Sequence, residues 1–298
     1  MKEIKGIITP IITPMDQEEN INETELKNQV KRQLTAGTHG IFSFGTNGEG
    51  YILKEEEKEK ILSIVVEEVN GKVPVYAGTG CISTKDTIHQ SLKAQSIGAD
   101  ILSIITPSFA AASQNELYEH YKSIATAVNL PIVLYNIPAR TGNALLPDTV
   151  EKLSHIENIV GIKDSSGNFD NILQYIEKTR YRKEFAVLAG SDSLILWTLM
   201  AGGKGAVSGC ANVYPETIVA VYENYIAGKI EAAKDKQESI REFRNCFKYG
   251  NPNTIVKAAV ELLGYPVGKC RTPFRLLSEE GMKMLKKVLI ENREKGMC

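Results

Sequence analysis

The chain has no apolar run approaching the roughly 18 residues of a membrane-spanning helix. Its start, Met1-Lys2-Glu3-Ile4-Lys5-Gly6, has neither the apolar core nor the cleavage site of a signal peptide. No membrane role is expected. Charge of either sign is also lacking in excess: the net charge is −1, with no basic or acidic block, which points away from nucleic acid and anionic lipid surfaces. The five cysteines (Cys81, Cys210, Cys246, Cys270, Cys298) are odd in number and widely spaced, without a C-x-x-C pair. They read as reduced thiols of a cytoplasmic protein. Four histidines, His39, His89, His120 and His155, lack H-x-x-x-H spacing, so no metal site is expected. There are no internal repeats or low-complexity tracts, and no G-x-G-x-x-G follows the first apolar segment, which disfavours an open dinucleotide-binding sheet.

What is present is a steady alternation. Strand-like apolar runs fall at 6–12, 40–44, 73–77, 100–105, 131–135, 159–163, 185–189 and 205–208. Helical spacing fills the intervals 23–36, 54–69, 84–97, 114–127, 147–154, 168–177 and 193–200. Ser83 or Thr84 suits one helix start, Ser113 another, and Pro147 a first turn. Eight strands alternating with helices predict an α/β (β/α)8 TIM barrel, a size that 298 residues at 43% hydrophobic content readily supports. From Pro215 onward the spacing is helical only, over 215–227, 230–247, 253–263 and 278–293. We expect the barrel to occupy 1–225 and a C-terminal helical extension, packed on it, to occupy 226–298.

One stretch stands out, Ile159-Val160-Gly161-Ile162-Lys163-Asp164-Ser165-Ser166-Gly167. A lysine ends an apolar strand that a barrel buries on both faces. Burying an ammonium among apolar groups is costly, and the usual response is a lowered pKa. A lowered pKa suits a Schiff-base nucleophile, because only the free amine attacks a carbonyl. Active sites of this fold lie at the C-terminal strand ends, and most of those ends here carry small polar groups. Gly45-Thr46-Asn47-Gly48 follows one strand, and its backbone amides can converge on a carboxylate. Tyr135 ends another strand and is placed to relay protons. Arg140 lies on the loop beyond, where a guanidinium can hold a second carboxylate.

Gly45-Thr46-Asn47-Gly48-Glu49, Tyr135-Asn136-Ile137-Pro138-Ala139-Arg140-Thr141-Gly142 and Gly161-Ile162-Lys163-Asp164 resemble the dihydrodipicolinate synthase / N-acetylneuraminate lyase family of class I pyruvate-dependent aldolases. The likeness also covers Thr9-Pro10, Gly78-Thr79-Gly80 and Asn251-Pro252. It implies a cytoplasmic homo-oligomer, a tetramer or dimer, that binds a 2-oxo acid such as pyruvate and an aldehyde. No cofactor is implied beyond a covalent imine on Lys163. Tyr135 and Thr46 are then the proton-relay hydroxyls, and Gly45, Thr46, Asn47 and Gly48 hold the pyruvate carboxylate. Arg140 takes the carboxylate of the aldehyde, and Val207 presents its backbone carbonyl to the pyruvate methyl. Ser165, Gly190 and Asp192 are further candidate substrate contacts, Asp192 toward substrate hydroxyls.

The chain departs from the synthase pattern at three places. Asn47 replaces a threonine, and Ser108-Phe109 replaces two tyrosines, the second of which reaches into a neighbouring subunit to complete the relay. Either water, Ser108 or Tyr51 is expected to take over that function, or the reaction differs. The first of those tyrosines serves lysine feedback in some synthases, so none is expected here. Gly80-Cys81-Ile82-Ser83-Thr84 and Cys270-Arg271-Thr272-Pro273 resemble 4-hydroxy-2-oxoglutarate aldolases, and Gly190-Ser191-Asp192 resembles sugar-acid aldolases. The expected activity is therefore cleavage of a 2-oxo acid to pyruvate and an aldehyde, or their condensation. The alternatives are 4-hydroxy-tetrahydrodipicolinate synthase, a catalytically silent pyruvate-binding barrel, and an unrelated barrel enzyme for phosphorylated substrates.

Overall fold

A computed structural model describes residues 2–274 and 277–297. Met1 and Cys298 lie outside them. Eight parallel strands close into a barrel in sequence order: β1 (Gly6–Pro10), β2 (Gly40–Ser43), β3 (Val75–Gly78), β4 (Ile101–Ile105), β5 (Ile132–Asn136), β6 (Ile159–Asp164), β7 (Ala186–Ala189) and β8 (Gly205–Val207). The last strand pairs with the first, Ile8 beside Val207. Inward side chains such as Ile8, Phe42, Tyr76, Val133 and Leu188 fill the barrel centre. Outward ones such as Ile41, Leu102, Leu134 and Ile162 pack under the helices. Both faces are buried, which is why these segments read as continuous apolar runs rather than alternating ones.

Helices α1 (Glu23–Thr35), α2 (Glu55–Val69), α3 (Thr84–Ile97), α4 (Gln114–Ala127), α5 (Pro138–Thr141), α6 (Pro147–Ser154), α7 (Phe169–Thr179) and α8 (Ile195–Met200) connect the strands. Ser83 rather than Thr84 caps α3, its hydroxyl accepting from the Asp86 amide at 3.0 Å. Ser113 opens α4 in a reciprocal capping box with Glu116. Beyond β8 come α9 (Pro215–Ile226), α10 (Ile230–Ser239), α11 (Arg241–Asn245), α12 (Pro252–Leu262) and α13 (Glu279–Glu294). Their apolar faces, among them Ile218, Phe243, Ile255, Val260 and Leu285, share one core with Ile195 and Leu199 of α8. Among the described residues no helix is long and apolar enough to cross a membrane.

Four expectations about elements need correction. β1 stops at Pro10 instead of Ile12, because the Ile12 amide is drawn off the ladder to the Asn212 side-chain oxygen at 3.1 Å. The helix expected over 230–247 breaks after Ser239; α11 and a 3-10 turn, Cys246–Tyr249, follow. The break sets the Phe243 ring edge-on to Tyr214 and brings Arg244 onto Asp192 at 2.8 Å. The helix expected from Ser193 begins as a 3-10 turn, Asp192–Leu194, since the Asp192 carboxylate bonds away from the helix start. The loop bearing Arg140 contains the short α5, which Gly142 ends at φ +77°.

Candidate active site

The β5–β6 ladder sets Tyr135 directly beside Lys163, and Asn136 beside Asp164. Side chains alternate along a strand, so Tyr135 and Lys163 both point into the barrel mouth. Lys163 is 4% exposed. Its Nζ lies 3.7 Å from the centre of the Tyr135 ring and 5.4 Å from that of Phe42. Among the described residues Lys163 has no carboxylate in ion-pair range. A buried amine without a counter-ion is costly as a purely structural feature.

Tyr135 is the hub of the site. Its hydroxyl lies 3.1 Å from Thr46 Oγ1. Burial alone raises a phenol's pKa. The adjoining charge of Lys163, together with the hydrogen bond to Thr46, outweighs burial and brings Tyr135 below the ordinary value of 10.0. A phenol so placed gives up and regains a proton more readily than a free tyrosine.

Above Tyr135 and Phe42 opens a cavity of about 490 Å³. Thr46, Ser103, Thr106 and Asn253 line its walls, and Arg140 and Lys58 are its charged lining residues. Lys163 lies behind the Tyr135 and Phe42 rings rather than in the cavity wall. Arg140 is exposed and, among the described residues, makes no ion pair, which leaves its guanidinium available to an anion.

The turn after β2 is held by the rest of the chain. A Cβ on Gly45 would stand 2.9 Å from the Phe42 ring, and one on Gly48 2.8 Å from the Ile11 carbonyl. Among the described residues the Thr46 and Asn47 amides donate to no backbone carbonyl, so they are available to a carboxylate. The Asn47 side chain rests against Gly209. From α12, Asn253 Nδ2 donates to the Thr46 carbonyl at 2.6 Å. The next residue after the turn, Glu49, is fully buried at φ +58°. It pairs with buried Lys257 of α12 at 3.0 Å and accepts from the Arg271 amide at 2.8 Å. Lys257 also donates to the carbonyls of Thr13 and Lys269, at 2.9 and 2.7 Å. The helical extension thus braces the turn.

The other candidates fall into two groups. Ser165 and Gly190 lie beside Lys163. Val207 is buried at the end of β8 among the barrel-centre side chains. A Cβ on Gly190 would meet Ser165 Oγ at 2.0 Å and Lys163 Cε at 3.0 Å, so the position has room only for glycine. Gly190→Ala is expected to cost about 1–3 kcal/mol, read by urea unfolding, and to slow every reaction of the Lys163 amine. Unchanged stability and reactivity would show that the site yields freely. Asp192 differs from the expectation of a substrate contact. It is buried, and its carboxylate already accepts from Ser208 Oγ at 2.5 Å, the Cys210 amide at 3.1 Å and Arg244 at 2.8 Å. With its oxygens so occupied, it ties the β7 and β8 loops to α11.

Sequence reasoning missed Asn253, Glu49 and Lys257. The signal for Lys257 was present, a lone cation inside Thr254-Ile255-Val256-Lys257-Ala258-Ala259-Val260. It also missed the clamp beneath Lys163, where the buried Asp164 carboxylate accepts from Asn136 Nδ2 at 2.7 Å and Ser166 Oγ at 2.6 Å. Phe109 is 99% exposed at φ +79°, turned to solvent next to the cavity-lining Ser108. The histidines serve elsewhere: His39 meets Glu223, His89 meets Glu55, His120 meets Thr84, and His155 stacks on Tyr181.

Known proteins resemble the chain over nearly its whole length. A 4-hydroxy-tetrahydrodipicolinate synthase of Methanopyrus kandleri is 41% identical over 290 residues, 96% of each chain. The crystal structure of a dihydrodipicolinate synthase from Thermotoga maritima superposes with a TM-score of 0.95 at 32% identity, covering 98% of this chain and 99% of that one. A prophage protein of the dihydrodipicolinic acid synthase family from E. coli K12, solved in complex with pyruvate, gives a TM-score of 0.94 at 29% identity over 99% of both chains. The dihydrodipicolinate synthetase family model matches residues 3–292, and the chain belongs to that family of lyases.

Proposed function

We propose that this chain binds pyruvate as an imine on Lys163 and joins it to an aldehyde that carries its own carboxylate, as 4-hydroxy-tetrahydrodipicolinate synthases do with aspartate semialdehyde. One observation carries the imine: a buried lysine without a counter-ion stands in register with Tyr135, whose hydroxyl is bonded to Thr46. The free amine adds to the 2-oxo carbon while the Thr46–Asn47 turn holds the carboxylate. Tyr135 and Thr46 move the protons of dehydration. The protonated imine is then an electron sink that stabilises the enamine, which attacks the aldehyde. No diffusible cofactor takes part in this scheme.

The synthase direction is supported by the names of the relatives and by the unpaired Arg140 at the cavity. A second reading, cleavage of 4-hydroxy-2-oxoglutarate or a deoxy sugar acid to pyruvate, is favoured by Ser108 and Phe109, which leave the rim without the usual phenols. The exposed Phe109, Ile82 and Tyr51 at the rim support assembly as a homo-oligomer.

The two directions separate in paired assays, condensation of pyruvate with aspartate semialdehyde beside pyruvate release from a panel of 2-oxo acids. Faster condensation is expected; release from the panel without condensation would establish the second reading. Pyruvate binding with no turnover in either assay would mark a silent barrel. Arg140→Met is expected to raise the KM for the carboxylate-bearing aldehyde by about 10–100-fold, the loss of a charge-assisted hydrogen bond of about 1.5–3 kcal/mol. The pyruvate adduct should form as before. An unchanged KM would remove Arg140 from the site.

A further inference from the structure

The imine reading leaves one chemical gap. Tyr135 must both deliver a proton to the oxygen of pyruvate and recover one from the attacking nitrogen, which calls for a hydroxyl on each side of the phenol. Thr46 stands on one side, 3.1 Å away. The residue expected to complete such a relay is Phe109 here, which has no exchangeable proton and is 99% exposed.

Several other hydroxyls around the cavity are committed, while Ser103 and Ser108 line the cavity, whose lining does not include Lys163. Thr106 Oγ1 donates to Thr141 Oγ1 at 2.8 Å, and Thr141 lies 3.0 Å from the Asn143 carbonyl. Ser166 donates to Asp164 at 2.6 Å. Tyr51 takes a hydrogen bond from Asn253, at 3.4 Å. Ser165 differs from these. Its Oγ lies in the space above Gly190, and the place where a Cβ would stand on that glycine is 2.0 Å from Ser165 Oγ and 3.0 Å from Lys163 Cε. The hydroxyl is therefore beside the methylene that carries the reacting amine. Its backbone is fixed there, with the Ser165 amide donating to the Asn136 carbonyl at 2.8 Å and the Gly190 amide to the Asp164 carbonyl at 2.7 Å. Ser165 is also among the groups near Tyr135 that hold its phenol below the ordinary value. It thus lies beside the lysine whose Nζ is 3.7 Å from the centre of the Tyr135 ring.

We propose that Ser165 is the second hydroxyl of the proton relay, on the nitrogen side of Tyr135, and that it makes the relay complete within one subunit. The inference rests on the imine reading above. The Lys163 lone pair forms the N–C2 bond while the carbonyl π pair moves to oxygen. Tyr135 gives its proton to that oxygen. Ser165 accepts the proton leaving nitrogen and passes its own to the phenolate, so both hydroxyls end as they began. A second passage protonates the carbinolamine hydroxyl, the C–O bond breaks, water leaves, and the nitrogen lone pair closes the C=N bond. One amine and one carbonyl give one imine and one water, with no change in oxidation state.

The test is the rate at which pyruvate and borohydride add a reduced pyruvyl mass to Lys163 in the full-length protein. Ser165→Ala is expected to slow trapping by about 100-fold, the low end of general acid–base contributions, with the pyruvate concentration dependence within about twofold of the parent. Ser165→Thr should restore most of the rate. Added imidazole should accelerate Ser165→Ala but not the parent, since a diffusible acid–base replaces a missing proton carrier and does not repair a misplaced side chain. Trapping by Ser165→Ala within about twofold of the parent overturns the relay. So does a loss that neither Ser165→Thr nor imidazole recovers. Absence of any adduct on the folded parent would instead overturn the imine reading on which the relay depends.

Discussion

Replacing Lys163 by methionine should abolish the borohydride-trapped pyruvate adduct and lower turnover by about four orders of magnitude or more, since the sole nucleophile is gone. The protein should fold as well as its parent or better. The Lys163 side chain lies against the rings of Phe42 and Tyr135, and an apolar side chain of similar length removes a buried amine that had no counter-ion. Turnover by the variant near the parental rate would show that the imine reading is wrong. Loss of folding would instead mean that Lys163 has a structural partner.

The opposite outcome is expected at Lys257. This lysine is 1% exposed, and Glu49, its partner at 3.0 Å, is fully buried. Lys257→Met leaves the Glu49 carboxylate buried with the Arg271 amide but without its cation. Removing one member of a buried pair typically costs about 3–5 kcal/mol. Urea unfolding should show that loss as a lower midpoint with an unchanged slope. Adding Glu49→Leu to Lys257→Met should recover much of it, because replacing both charges by apolar groups is often close to neutral. A destabilisation under 1 kcal/mol in the single variant would mean that Glu49 is not held as a buried charge. The pyruvate KM should rise in Lys257→Met, since Glu49 directly follows the Thr46–Asn47 turn.

These two lysines show how far a lysine in an apolar run can be read. Both sit where a cation is costly, and sequence alone gives them the same signature. Lys163 drew attention because it ends a strand at the catalytic rim of a barrel, whereas Lys257 lies mid-helix in the extension. The difference in role comes from their neighbours. Lys257 Nζ meets two carbonyls and a carboxylate, while Lys163 Nζ faces aromatic rings and the Tyr135 phenol. Satisfied hydrogen bonds make a charge structural; their lack leaves the amine for chemistry.

Asp192 teaches a related lesson. The likeness of Gly190-Ser191-Asp192 to sugar-acid aldolases implies a substrate contact, yet Ser208, the Cys210 amide and Arg244 occupy the Asp192 carboxylate. Arg244 reaches it because the helix expected to run through 230–247 breaks after Ser239. Helical periodicity carries no mark of such a break, which depends on burying Phe243 and meeting a carboxylate from a distant strand.

The sequence by itself determined the eightfold alternation, the polar strand ends, and the candidate site residues Lys163, Tyr135, Thr46 and Arg140. Apolar periodicity and turn chemistry are local properties, and a barrel needs little else to place its rim. Only the tertiary structure decided which polar groups are already satisfied and which remain available. It set Tyr135 in register with Lys163, braced the Thr46–Asn47 turn with Asn253 and Lys257 from some two hundred residues away in sequence, and brought Ser165 over Gly190 toward the amine. Each of these depends on contacts between strands and helices remote in sequence, where sub-ångström clearance at Gly190 or one hydrogen bond at Tyr135 determines what a side chain does.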